Sequence, residues 1–182
     1  MKDKWQRLRI FENISKDQFL DYNWQKLNMI NNSNLHKHLN LLKMSDEIKN
    51  SIDLGIKKSP MSIKIPPYIV SQIDWNNFWK DPLRKQFLPV IEEIYEDHPK
   101  LKFDSLNEQS TSPVKGLIHR YPNKVLFLAL SICPLYCRFC TRAYSVGTET
   151  LISTKQKFNP IRDRYNEIFK YLENNSNIED VT

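Results

Sequence analysis

Nine residues from Lys124 to Ile132 read KVLFLALSI, an apolar run without polar alternation, and Cys133 follows directly. A strand with one wet face alternates apolar and polar side chains. A run that does not alternate suits a strand covered on both faces, as in a parallel sheet. Downstream, Ile161, Tyr165, Ile168, Phe169 and Leu172 recur at helical spacing, which predicts an amphipathic helix of about three turns. The NNSN stretch at 174–177 ends it, and IEDV at 178–181 reads as another strand. Strand, loop, helix and strand in this order predict one βαβ unit.

The chain before that run has a different character. Residues 1–55 read as helical, with Leu20, Trp24 and Leu27 spaced along one face that predicts core packing. Ser45 is an N-cap candidate before DEIKNSI, where Ile48 and Ile52 share a face. Prolines at 60, 66, 67, 82, 89 and 99 break the next segment into short helices and turns, and Asp81-Pro82 pairs an N-cap with a first-turn proline. DSLNEQSTSPVKGLI at 104–118 reads as an extended loop. The predicted fold class is α/β: an N-terminal helical region over 1–103, then the first βαβ unit of a truncated (β/α) barrel over 104–182. A finished barrel needs roughly 200 residues or more, so an N-terminal fragment is expected.

Composition narrows the function classes. The formal net charge is +6, but Lys and Arg are spread along the chain. Anionic groups on a cofactor are the expected use for some of these residues, and nucleic acid is not expected as a partner. The basic start MKDKWQRLRIF is not followed by an apolar segment, so no signal peptide is read, and VLFLALSIC is too short to span a bilayer. A cytoplasmic protein without membrane association is expected. All three cysteines fall within eight residues, which is no disulfide framework.

Those cysteines carry the chemistry. Cys133-Pro-Leu-Tyr-Cys137-Arg-Phe-Cys140 has the spacing C-x-x-x-C-x-x-C. Full ligation of a [4Fe–4S] cubane takes four thiolates. Three on one tight loop can wrap three corners and leave one iron open for a non-protein ligand. A structural zinc site wants a fourth ligand; His119 lies 14 residues upstream across a predicted strand. Ferredoxin-type clusters use other spacings and a fourth Cys, and chance clustering of unrelated thiols is a further alternative.

The cysteine spacing resembles the signature of the radical S-adenosylmethionine superfamily. That resemblance implies a cluster whose open iron chelates S-adenosylmethionine and whose electron releases a 5′-deoxyadenosyl radical. It also implies that Phe139, just before the third cysteine, lies near the adenine. The wider stretch SPVKGLIHRYPNKVLFLALSICPLYCRFCTRAYSVG at 112–147, together with DPLRKQFLP at 81–89 and the Trp-Gln pair at 24–25, closely resembles the lysine 2,3-aminomutase family. The resemblance runs from about residue 20 onward. The pairing of HRYP with CTR is far more specific than the cysteines alone.

What this second resemblance implies is a radical isomerase of partial-barrel fold. It would perform a 1,2-amino shift on lysine or a related amino acid, using the cluster, S-adenosylmethionine and pyridoxal 5′-phosphate. Cys133, Cys137 and Cys140 would be the metal ligands. Arg120 matches an arginine on the cofactor phosphate, for which a guanidinium fork is suited. Tyr121 neighbours that cofactor, and Lys124 stands where the family usually has a second arginine. Arg142 matches an arginine holding the substrate α-carboxylate. The lysine that carries pyridoxal phosphate and a glycine-rich S-adenosylmethionine motif would lie past residue 182. A reducing donor such as flavodoxin or ferredoxin is implied, and a homo-oligomer is possible.

The chain departs from the family at Lys124, which keeps charge but loses the fork; at Phe139, which stands for a common histidine; and at 143–146, which lack the Arg-rich version. These differences bear on substrate more than on radical chemistry. Two other readings stand beside the aminomutase: a paralogue that modifies a lysine for elongation factor P, and an iron–sulfur-binding fragment without activity.

Overall fold

The computed structural model describes residues 4–182. The chain divides into two compact units. The first comprises residues 4–96 with 133–140 and 148–154, and the second comprises 97–132, 141–147 and 155–182.

The first unit is built from short helices whose starts are written in the sequence. Ser15 caps α1 (Lys16–Leu20) by accepting from the Gln18 N–H, and Asp21 caps α2 (Tyr22–Leu27) by accepting from the Trp24 N–H at 2.7 Å. Asp21 is both the end of α1 and the cap of α2, with an extended backbone. The break resets the helical phase. Leu20 and Leu27, predicted to pack in the core, are therefore 61% and 83% exposed, and only Trp24 of that set packs against the core.

β1 (Ile30–Asn31) pairs antiparallel with β2 (Lys64–Ile65), on either side of α3 (Leu35–Leu41) and α4 (Asp46–Lys57). Ser45 caps α4 through the Ile48 N–H, and Asp46 and Glu47 place negative charge on its first turn. Gly55 lets α4 approach the chain at Pro89; a Cβ there would stand 2.7 Å from the Pro89 carbonyl oxygen. α5 (Pro67–Gln72) and α6 (Pro82–Phe87) each start on a proline, and Asp81 caps α6 through the Arg84 N–H.

Phe19, Leu39, Ile52, Ile65, Val70, Leu88 and Val90 form the buried centre of this unit. Arg84 is fully buried beside them. Its Nε and Nη2 donate to the Phe78 and Trp79 carbonyls, its fork grips Glu93 at 2.8 and 2.9 Å, and its guanidinium lies over the Phe78 ring.

The second unit holds a three-stranded sheet in the order β3–β4–β5. β3 (Leu117–Tyr121) and β4 (Lys124–Phe127) form an antiparallel hairpin about Pro122-Asn123, with a register irregularity between Ile118 and Tyr121. The hairpin replaces the predicted end of an extended loop. α7 (Arg162–Glu173) leads to β5 (Asp180–Val181), which pairs parallel with β4. Leu117, Val125 and Ile168 are the buried centre here, with Phe127, Tyr171, Leu172 and Ile178 packed around them.

β4 covers four residues rather than the nine of the apolar run, and beyond it the chain is held by Arg164. Its Nη1 and Nη2 take the Leu128 and Ala129 carbonyls at 3.1 and 2.6 Å, so an arginine stands where a neighbouring strand would have donated. Gly116, at φ +85°, admits that guanidinium: a Cβ would meet Arg164 Nη1 at 2.5 Å.

Candidate functional site

The cysteine loop belongs to the first unit, and backbone bonds fix it there. Lys64 Nζ donates to the Cys133 carbonyl at 2.8 Å, while the Tyr136 N–H donates to the Lys64 carbonyl at 3.0 Å. Farther along, the Arg138 N–H donates to the Gln86 carbonyl and Arg138 Nη1 to the Lys85 carbonyl, each at 2.9 Å. Arg138 also reaches Glu93 at 3.4 Å, so the carboxylate held by buried Arg84 holds the cysteine loop as well. Leu135 and Cys137 pack against the hydrophobic centre.

Cys133, Cys137 and Cys140 are half-buried and none is in a disulfide. The Cys137 thiol is pushed above its ordinary range, first by burial and then by the nearby Cys140 and Cys133 sulfurs. Burial and Cys133 do the same to the Tyr136 phenol.

Among the described residues, no three His, Cys, Asp or Glu side chains gather as a single metal ion requires. Zinc collects its ligands on one centre, whereas a cubane gives each thiolate its own iron. Three thiols on one loop are the donor set of a cubane with one open iron, whereas a structural zinc site takes four protein ligands. His119 belongs to the other unit, and its Nδ1 pairs with the Tyr171 hydroxyl at 2.7 Å. Phe139 is 66% exposed, with its ring available as a flat apolar surface.

Arg120, Tyr121 and Lys124 belong to the second unit, on the β3–β4 hairpin. All three are exposed. Lys124 pairs with Asp180 at 3.7 Å, and both side chains are more than half solvated. Such a pair is worth little and exchanges readily. Two cations within five residues, both accessible, suit a phosphate dianion.

Arg142 is also in the second unit. Its Nη2 and Nε donate to Glu108 Oε1 and Oε2 at 3.0 and 3.2 Å. Glu108 is buried and accepts a third bond, from the Tyr144 hydroxyl at 2.8 Å. That bond adds to burial, the larger cause, in holding the Tyr144 phenol well above its usual range. The backbone beyond Arg142 is pinned: Lys155 Nζ donates to the Ala143 carbonyl, the Gln156 N–H to Tyr144, and Lys157 Nζ to Gly147. Sequence reasoning did not single out Glu108, Lys64, Lys155 or Lys157. Each acts across a long separation on a backbone or side-chain atom, and no local pattern marks such contacts.

No family model matches the chain. Curated relatives do. The chain is 34% identical over 173 residues to the L-lysine 2,3-aminomutase of Methanococcus maripaludis, which covers 95% of this chain and 38% of that protein. It is 33% identical over 178 residues to the L-lysine 2,3-aminomutase of Clostridium subterminale, covering 96% of this chain and 39% of the relative. The glutamate 2,3-aminomutase of Clostridioides difficile is 25% identical over 177 residues, 97% of this chain and 38% of the relative. The chain thus spans about four-tenths of the length of the relatives it matches.

Proposed function

The chain belongs to the lysine 2,3-aminomutase family, and from that premise we propose that it supplies the cluster loop and part of the cofactor and substrate site of a radical S-adenosylmethionine 2,3-aminomutase. The observation that carries the proposal is the C-x-x-x-C-x-x-C loop, held at both ends by hydrogen bonds to its backbone, with three thiols outside any disulfide. The parallel pair β4–β5 with α7 between them in sequence supports the reading of this region as the opening of a partial (β/α) barrel, in which catalytic groups follow the C-terminal ends of strands.

When bound, the cluster with S-adenosylmethionine supplies a hydrogen-abstracting radical, and pyridoxal phosphate stabilises the migrating nitrogen. This chain's residues bind and orient. Cys133, Cys137 and Cys140 hold three irons as thiolates. Phe139 offers its ring to the adenine. Arg120 and Lys124 hold the cofactor phosphate, with Tyr121 beside it. Arg142 holds the substrate α-carboxylate, and fixing that end of the substrate places its β-carbon for reaction. An α-carboxylate is common to lysine and glutamate, so this contact sets the class of amino acid and leaves the side-chain choice to other residues. A low-potential electron carrier of the flavodoxin or ferredoxin kind would reduce the cluster.

Anaerobic reconstitution of the chain with iron and sulfide, followed by EPR of the reduced sample, tests the cluster. A reducible [4Fe–4S] signal that disappears in Cys137→Ala is expected. Absence of the signal, or its survival in that variant, would overturn the ligand assignment.

A further inference from the structure

Lys64 is a lysine on a two-stranded ribbon, far in sequence from the cysteines and outside every motif that marks them. It contacts the cysteine loop three times. Its ammonium donates to the carbonyl of Cys133 at 2.8 Å, its own carbonyl accepts from the Tyr136 N–H at 3.0 Å, and the ammonium lies 5.1 Å from the centre of the Tyr136 ring. The first half of the loop is thereby closed into a ring through one residue. β1 fixes the Lys64 backbone from the other side through the Asn31–Lys64 pair. Lys64 is half-buried, and a partly buried charge is screened less than one at the surface.

We infer that Lys64 is a positioning residue for the cluster, whose fixed positive charge at the first ligand raises the cluster's reduction potential. This rests on the proposed cluster assignment. The one-electron step takes [4Fe–4S]2+ to [4Fe–4S]1+ with the electron coming from an added reductant and no proton or ligand moving. The reduced cluster is the more negative form, so a nearby cation stabilises it more than the oxidised one. Net charge and hydrogen bonding around a cluster are recognised determinants of its potential. A bond to the Cys133 carbonyl places the charge within one residue's reach of a ligating sulfur.

The test is an EPR-monitored redox titration of the reconstituted 182-residue chain, comparing wild type with Lys64→Arg, Lys64→Met and Lys64→Gln. Iron and sulfide content is measured on each. Lys64→Met is expected to titrate at a lower potential than wild type, and Lys64→Arg close to wild type. If Lys64→Met takes up no iron, Lys64→Gln, which retains an N–H donor without the charge, carries the comparison. Loading in Lys64→Arg alone upholds the need for a cation at this position. An unshifted potential in the loaded neutral variants overturns the inference. So does an equal fall in Lys64→Arg and Lys64→Met, which would mean loop shape rather than charge, or failure of all three variants to load. A wild-type chain with no reducible cluster would instead remove the cluster assignment itself, before any variant is compared.

Discussion

Arg142 and Glu108 face each other fork to carboxylate, with Nη2 and Nε of the arginine on the two carboxylate oxygens. A guanidinium has five N–H donors on two usable edges. Glu108 occupies one edge. The other edge carries Nη1. An arginine braced in this way has little rotamer freedom left to lose, which would favour the substrate contact proposed for it.

The Tyr144 bond to Glu108 makes this cluster sensitive to alkali. The Tyr144 phenol is raised by burial first and by Glu108 second. An unfolded tyrosine loses its proton near pH 10, while the folded one retains it. The folded state therefore binds more protons there, and stability falls as pH rises above about 10. Below that pH the contribution is fully present. Denaturant midpoints measured from pH 8 to 11 are expected to fall in wild type and to fall less in Tyr144→Phe. Parallel curves would mean that Tyr144 ionises normally.

Arg84 and Glu93 give the opposite pH dependence. The Arg84 hydrogen bond is the main cause holding the Glu93 carboxyl below its ordinary range, with Lys85 and Arg138 adding to it. Its contribution is present above the unfolded carboxylate pKa and is lost as pH falls through the lower folded value. Glu93→Gln is expected to be less stable than wild type at pH 7, with the difference closing toward pH 3. Arg84 itself is fully buried. Arg84→Met would strand Glu93 and two carbonyls at a cost of about 3–5 kcal/mol, and Arg84→Lys would recover only part of this because an ammonium cannot make the fork. Urea unfolding of the three variants at neutral pH is the measurement.

Gly116 is needed for two separate reasons. Its φ of +85° lies where a side chain is strained, and a Cβ would collide with Arg164 Nη1. Gly116→Ala should destabilise the chain by about 1–3 kcal/mol from backbone strain alone, before any displacement of Arg164. A double variant with Arg164→Met, which removes the collision but retains the strain, is expected to show less than the sum of the two single effects. Strict additivity in the unfolding midpoints would separate the two residues.

The sequence made much of this legible, for reasons that differ by element. Ser45 and Asp81-Pro82 are local signals, and both cap the helices they predict. Leu20 and Leu27 misled because periodicity carries across Asp21 on paper, whereas the backbone turns there. The β3–β4 hairpin has its own signal, the turn-forming Pro122-Asn123 pair between LIHRY and KVLF, and the reading of 104–118 as one loop ran over the start of β3. The Arg164 bond to the Leu128 carbonyl was not readable, because the two residues lie 36 positions apart. The cysteines stand out by their spacing. Lys64 and Glu108, which brace the loop and Arg142, are tied to them only by the fold.

The hairpin cations supply the remaining prediction. Arg120 is exposed, and Lys124 makes a solvated contact to Asp180. If these two hold the phosphate of pyridoxal phosphate, they should contribute unequally, since a guanidinium makes two parallel bonds to a phosphate and an ammonium acts as a point charge. Loss of a hydrogen bond to a charged group is worth about 1.5–3 kcal/mol, or about 10- to 100-fold in affinity. Arg120→Ala is expected to weaken pyridoxal phosphate binding by about that factor in equilibrium dialysis, and Lys124→Ala by less. Lys124→Arg supplies a second fork and should tighten binding. Pyridoxal, which lacks the phosphate, is expected to bind wild type and Arg120→Ala alike. Equal losses for pyridoxal and its phosphate would mean that Arg120 acts on some other part of the cofactor.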